Sequence, residues 1–465
     1  MNKVLLISPD KIKEKTALNN LKYPPLGLVT LAAVLKKEGF DPVLFDASVG
    51  AIDSLLRIKS LLQGDDVLAV GLSFTSNLAD SAYVYADFIK QHFPRIPIIS
   101  GGYHPTVMYH EVMSHFSIDY VVLGEGEVTF LALLNAIKAG GAVSDIAGIS
   151  YRKNNEILLT SPRLLINDLD SIPIPAYELL RLDSYSSPTS TRKPFLTMIR
   201  SRGCPYDCLF CGVDSMFSHK FRCQTPQRTL DEIIYVIKIF NVKEISFKDS
   251  DFLIDRNNVA RLCELMIKNK LDLTWNCSTR VDSVNKDILA LMKRSGCRQI
   301  TFGIESGSQK MLDALRKNIQ VNKIVDSVKL TKQAGISCVA GFIVGSPGED
   351  FETLNDTVEL IKKLDLDYAS FSFLTAFPGS DLYKMSQENK WFLKGSRAME
   401  YGSLGINVSK LSDAQLQYAM RKMILRFYFN PRYIFRKLRK ITISDLRNNF
   451  IGAFSLITKV FLHRS

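Results

Sequence analysis

Hydrophobic positions in the first 140 residues fall into short apolar runs separated by stretches with helical spacing. Residues 4–7, 43–45, 67–73, 98–100 and 120–123 read as strands, and 26–38, 51–62, 79–92 and 128–138 as helices. The strand runs are continuously apolar, as expected for strands covered on both faces. The pattern therefore predicts an α/β domain with a doubly wound parallel sheet. Such sheets bind ligands beyond the carboxyl ends of their strands. The loops expected there are small and polar or Gly-rich, which singles out Ser73 and Thr75, then Gly101 and Gly102, then Gly124 and Glu125.

Residues 141–190 read as a connector, broken by Pro162, Pro173, Pro175 and the polar run Asp168-Leu169-Asp170. From Phe195 the alternation resumes. Strands are expected at 196–200, 244–248, 273–278, 299–304, 337–344 and 368–373, with helical stretches between them such as 230–240 and 258–268. Six successive βα units predict a partial (β/α)6 barrel with its chemistry at the carboxyl ends of the strands. Beyond about Asp381 the strands cease. Residues 413–429 read as a helix, Pro431 opens a second, and Ser444 is placed to cap a third. The expected layout is 1–140, a connector at 141–190, a barrel at 191–400 and a helical C-terminal region at 401–465.

A chain of 465 residues exceeds one ordinary core, and its 46% apolar and 23% charged content is that of a globular protein. No apolar run approaches the ~18 residues of a spanning helix. The run at 4–7 ends at Ser8-Pro9-Asp10, so no signal segment is expected. All eight cysteines lie between Cys204 and Cys338. A disulfide scaffold would spread them along the chain, so a metal site in a reducing, cytoplasmic setting is the better reading. The charge is uneven. Residues 421–465 hold eleven Lys or Arg against Asp445 alone, a net of +10 out of the chain's +12.

The candidate chemistry centres on Cys204-Pro205-Tyr206-Asp207-Cys208-Leu209-Phe210-Cys211, which follows the first barrel strand. Three thiolates on one short loop can ligate three corners of a cubane iron–sulfur cluster and leave one iron open. Zinc would need a fourth ligand, with Cys223 or His219 in reach along the chain. The spacing, with Phe210 before the third cysteine, resembles the signature of the radical S-adenosylmethionine (SAM) superfamily. The resemblance extends along the barrel. It runs through Phe247-Lys248-Asp249-Ser250-Asp251, Ser278-Thr279-Arg280, Gly303-Ile304-Glu305-Ser306-Gly307, Gly341-Phe342-Ile343-Val344-Gly345-Ser346-Pro347-Gly348-Glu349 and Phe377-Pro378-Gly379-Ser380. It implies a 4Fe–4S cluster on Cys204, Cys208 and Cys211, where SAM is cleaved to a 5′-deoxyadenosyl radical. It also implies SAM contacts from Phe210, Asp249, Asp251, Arg280, Glu305, Ser306 and Gly345, and an electron donor such as a flavodoxin or ferredoxin.

The preceding sheet domain resembles the cobalamin-binding class of these enzymes. The resemblance rests on Tyr23-Pro24-Pro25-Leu26-Gly27-Leu28, Gly101-Gly102-Tyr103-His104-Pro105 and Gly124-Glu125-Gly126-Glu127. It implies a Rossmann-like cobalamin domain with contacts from Ser73, Thr75, Gly101, Gly102, Gly124 and Glu125. The chain has no Asp-x-His-x-x-Gly loop, so no histidine is expected below cobalt. Methylthiotransferases carry a second cysteine-ligated cluster near the N-terminus, and residues 1–203 contain no cysteine. The cysteine-rich extension of peptide-modifying relatives is also missing. Cys223, Cys263, Cys277, Cys297 and Cys338 read as small core residues.

The expected activity is cobalamin-dependent methyl transfer to an unactivated carbon of a small or lipid-like substrate. Radical cyclisation or rearrangement is the alternative, and a non-catalytic cobalamin or redox sensor lies in another class. The basic tail reads either as a helical cap on the barrel or as a peripheral contact with the inner face of a membrane. Its aromatics sit in helical context, so no nucleic acid is expected.

Overall fold

Four consecutive apolar residues, Val4 to Ile7, need cover on two sides, because successive side chains of a strand point to opposite faces. In the computed structural model, which describes residues 2–11, 22–49, 53–64, 66–187, 189–393 and 403–438, they split between two cores. Val4 and Leu6 pack with the helices Leu26–Lys37 and Gly126–Ala139. Leu5 and Ile7 pack on the other side with Ser54–Leu62 and Ala79–His92. The sheet comprises β1 (Lys3–Ser8), β2 (Asp41–Asp46), β3 (Val67–Ser73), β4 (Ile98–Gly101), β5 (Tyr120–Val122), β6 (Ile149–Lys153) and β7 (Glu156–Leu159), in the order β2-β1-β3-β4-β5-β6-β7. The first five are parallel, and their order reverses direction between β1 and β3, the switch point at which such sheets open a ligand crevice.

The sheet is mixed at one edge. β6 and β7 add an antiparallel hairpin from within the Pro-rich stretch read as a connector. Its turn is Asn154-Asn155, both with positive φ (52° and 66°), which fits the two-residue turn that continues strand twist. The segment 103–105, read as a loop, begins a short helix, Tyr103–Val107.

The second sheet is all parallel. It runs β8 (Phe195–Met198), β11 (Glu244–Phe247), β12 (Thr274–Thr279), β13 (Cys297–Glu305), β14 (Ser337–Val344) and β15 (Tyr368–Phe373), each strand beside the next, with β8 and β15 as edges. Between β8 and β11 lies a small antiparallel ribbon, β9 (Ser201–Arg202) with β10 (Arg222–Cys223), which brackets the cysteine loop. Trp275 is the hub of the core, with ring contacts to Phe247 and Phe252 and an indole N–H donated to the Ser295 carbonyl at 3.0 Å. Beyond the sheet, the helix Asp413–Tyr428, opened by a Ser412/Gln415 capping box, lies against β15, and Pro431–Leu438 follows it. No helix among the described residues is long and apolar enough to cross a membrane. Ser444 and the apolar stretch 450–462 lie outside the described residues.

Buried charge joins the two sheets. Glu125, at the start of the helix Gly126–Ala139, accepts hydrogen bonds from Arg202 Nη1 (2.8 Å), from Arg222 Nη1 (2.8 Å) and from the Ile166 N–H (2.7 Å). Glu127 pairs with the other Arg202 nitrogen. Burial alone would raise the Glu125 pKa, but the hydrogen bonds from Arg222 and Arg202 outweigh it and the carboxyl sits below its ordinary value. This clasp therefore contributes fully above the unfolded Glu pKa and is lost as pH falls through the lowered native one. Removing one partner strands the other charges. Glu125→Ala should cost roughly 3–5 kcal/mol in urea unfolding at neutral pH, with the difference shrinking as pH falls below about 4.

A candidate active site between the two sheets

The cysteine loop is set by its ends. Gly203 has φ +83°, and a Cβ there would lie 2.1 Å from the Lys220 carbonyl oxygen, so only glycine lets the β9–β10 ribbon close behind the loop. Leu209 pins the far side. Its N–H donates to the Leu315 carbonyl (3.1 Å), and its own carbonyl accepts from the Leu382 N–H (3.0 Å). Cys204, Cys208 and Cys211 are unpaired and half-buried. Burial pushes all three thiols up, Cys204 to about 11, and the charges of Cys208 and Cys211 add to this. Binding iron would displace three protons that the buried loop otherwise retains. Among the described residues no three His, Cys, Asp or Glu side chains converge on a single ion. A cubane takes its thiolates at separate corners and requires no such convergence. The fourth ligands that zinc would need have other partners: Cys223 accepts from Asn258 (3.5 Å) and His219 pairs with Asp214 (3.1 Å).

Around this loop stand the ends of the barrel strands. Asp251 accepts the Leu253 N–H (3.1 Å) and the Thr279 hydroxyl with Oδ1, while its buried Oδ2 has no partner. Its charge is felt by Cys204 and Tyr206, so it faces the loop. Asp249 binds Ser201 and lies 3.9 Å from Arg200, again with Oδ2 unpartnered. Burial raises both carboxyls. Unsatisfied buried acceptors are costly, so these oxygens fit the amino and hydroxyl donors of a ligand such as SAM. Ser346 Oγ at the end of β14 is a third.

The remaining expected SAM contacts divide. Phe210 lies within the loop, its ring centroid 6.0 Å from the Lys317 ammonium. Arg280 stacks on Tyr206 of the loop at 3.9 Å, and all its nitrogens already donate, to Asp282 and to the Lys317 and Asn318 carbonyls. Glu305 stands on a bulge at the end of β13, with φ +66°, and accepts from Lys317 at 2.8 Å. Ser306 is fully buried against Thr357 (3.1 Å) and caps its own turn. Gly345, with φ +93°, donates its N–H to Glu349, whose carboxyl burial pushes up to about 7.

Lys317 escaped the sequence reading. It is buried, and although burial opposes its charge, Glu305 and Cys208 hold its pKa above the ordinary value. It thus places a fixed cation beside the cysteine loop. Nothing in its local sequence marked it, because its role depends on the approach of the turn after Gln309–Ala314 to β13.

A cavity of about 310 Å³ opens between the sheets. Its floor is the carboxyl ends of β1, β3, β4 and β5, including Ser73, Gly101, Gly102, Gly124 and Glu125, and its opposite wall includes Ser201, Arg202, Gly203, Phe217 and Lys248. Thr75 is not among the lining residues; it is exposed and donates to Asn77. A Cβ at Gly71 would lie 2.9 Å from Leu6, and one at Gly102, which has φ +92°, 2.8 Å from Ser73 Oγ. Glycine at these two positions lets Leu6, Phe130 and Ser73 pack close beneath the floor, whose open face could receive a flat ligand such as a corrin ring. His104 is fully buried against Ser76 (3.0 Å) and does not line the cavity. Tyr103 ties cavity to loop: its hydroxyl donates to the Pro378 carbonyl (2.6 Å) and lies where a Cβ on Gly212 would fall, at 1.6 Å.

Cys208→Ala should abolish stoichiometric iron and sulfide after reconstitution, and retained cluster would contradict the assignment. Gly212→Ala must move Tyr103, and such overpacking should cost about 1–3 kcal/mol in urea unfolding.

Comparison with known proteins agrees with this geometry. The Radical SAM superfamily pattern matches residues 198–361 and the B12 binding domain pattern residues 19–134. An uncharacterised methyltransferase of Pyrococcus horikoshii is 30% identical over 94% of this chain and 94% of its own. An anaerobic magnesium-protoporphyrin IX monomethyl ester cyclase of Synechocystis is 25% identical over 97% of this chain and 94% of its own. Among solved structures, the cobalamin-dependent SAM radical enzyme OxsB superposes with a TM-score of 0.77 at 19% identity, covering 99% of this chain and 71% of that one. The chain belongs to the cobalamin-binding radical SAM enzymes, and its cofactors are a 4Fe–4S cluster, SAM and cobalamin.

Proposed function

We propose that this enzyme is a cobalamin-dependent methyltransferase acting on an unactivated carbon. One observation carries the proposal: the cavity and the cysteine loop share a wall, since Ser201, Arg202 and Gly203 line the cavity and Cys204 follows at once. When bound, the cluster supplies the electron that cleaves SAM, and the corrinoid carries a methyl group to the substrate.

The chain's own residues position these groups. Cys204, Cys208 and Cys211 would hold the cluster. The free oxygens of Asp251 and Asp249 receive SAM donors. Lys317, paired with Glu305, and Arg280, paired with Asp282, set two cations beside the loop that would favour the SAM carboxylate. Ser73 and the glycine floor receive the corrinoid, and the barrel wall shields the reaction from water. A flavodoxin or ferredoxin supplies the electron.

A cyclase reading draws support from the cyclase named among the relatives. The products separate the two. Methyl transfer releases S-adenosylhomocysteine together with 5′-deoxyadenosine, whereas cyclisation releases 5′-deoxyadenosine alone. The reconstituted enzyme, incubated anaerobically with SAM, reductant and cobalamin, should form both. Formation of 5′-deoxyadenosine without S-adenosylhomocysteine would favour cyclisation, and formation of neither would favour a sensor.

A further inference from the structure

We propose that the C-terminal helical region docks the enzyme on an anionic lipid surface. The helix Asp413–Tyr428 has two opposed faces. Leu416, Met420, Met423 and Phe427 are buried against the barrel, and Tyr428 donates to the Ala369 carbonyl at 2.7 Å. On the far side, Tyr418, Lys422, Leu425 and Phe429 recur at the spacing of a single helical stripe. Tyr418 and Phe429 are 59% and 58% exposed, and Ile434 and Phe435 in the next helix are 40% and 58% exposed. Large apolar side chains concentrated in this way differ from the scattered singles of an ordinary surface.

Charge selects the occupant. From Arg421 onward the sequence carries eleven basic residues and one acid, so a second copy of this segment would be repelled and an anionic surface attracted. The Lys422 ammonium lies 5.7 Å over the Tyr418 ring, which places cation and aromatic in one stripe. Aromatic rings enter the headgroup layer while lysines reach its phosphates, so this pairing suits a bilayer interface. The helix begins near the carboxyl end of β14 and runs to the amino end of β15, where Tyr428 donates to the Ala369 carbonyl and Tyr433 to the Asp367 carbonyl. Phe429, Ile434 and Phe435 therefore stand at the end of the sheet away from the cysteine loop. The Leu416 side chain would stand 3.6 Å from a Cβ at Gly345, at the carboxyl end of β14, and the Lys410 N–H donates to the Glu349 carbonyl at 2.8 Å.

The test is co-sedimentation of the full chain with vesicles of phosphatidylcholine, alone or mixed with phosphatidylglycerol. Each basic residue near an anionic surface contributes roughly a fivefold factor, so partitioning should be at least about tenfold stronger on the anionic vesicles and should fall in high salt. Phe429→Glu combined with Ile434→Glu should lower it at least about tenfold while leaving bound iron and the unfolding midpoint unchanged. If that pair impairs folding, Lys422→Glu, which lies on the same exposed stripe, should lower it at least about fivefold. Equal partitioning on both vesicle types, or wild-type partitioning by well-folded variants, would overturn the proposal. Self-association in sedimentation velocity that the same variants abolish, without vesicle binding, would also overturn it and mark the stripe as an interface between copies.

Discussion

Two parallel sheets can cooperate in one reaction only if the carboxyl ends of their strands face each other, and the buried Glu125–Arg202–Arg222 clasp imposes that arrangement. Glu125 stands at the carboxyl end of one sheet, and Arg202 and Arg222 form the ribbon beside the cysteine loop of the other. Buried ions left unpaired are heavily penalised, so the geometry is held by the cost of any alternative. The cavity floor, its opposite wall and the cluster loop all take their relative positions from it. Tyr103 adds a second tie, reaching from the floor loop to Gly212 and Pro378.

Around the clasp, each part of the site depends on a local rule that sequence obeys. Glycine occupies the positions where backbone must approach backbone (Gly203) or keep a floor low (Gly71, Gly102). Two carboxylates beside the cysteine loop, Asp249 and Asp251, are buried with one oxygen each left without a partner.

Much of this was legible in the chain. The unbroken apolar runs gave the parallel strands, and β3, β14 and β15 fall on the residues expected for them. The cysteine spacing and the strand-end motifs marked the barrel chemistry, and the family comparisons confirm the cofactors. Local pattern cannot report long-range pairing, and the unforeseen features are of that kind. The β6–β7 hairpin was obscured by neighbouring prolines, although Asn154-Asn155 is a turn signal. Glu125 was expected to contact cobalamin; it lines the cavity, and its carboxylate is engaged by partners 77 and 97 residues away that no local pattern reveals. The surroundings of Arg280 and Lys317 were hidden for the same reason. Arg280 is consumed by Asp282 and two carbonyls, while Lys317 is carried to the cluster loop by a turn that no motif announces.

The central claim is that one interdomain cavity serves cobalamin and the cluster together. It is tested most directly by anaerobic reconstitution with iron, sulfide and hydroxocobalamin, followed by desalting and measurement of what remains bound. The account predicts stoichiometric iron, sulfide and corrinoid on the same chain, with corrinoid lost when Gly71 or Gly102 is replaced by a bulky residue. A complete cluster on a chain that retains no corrinoid would contradict it.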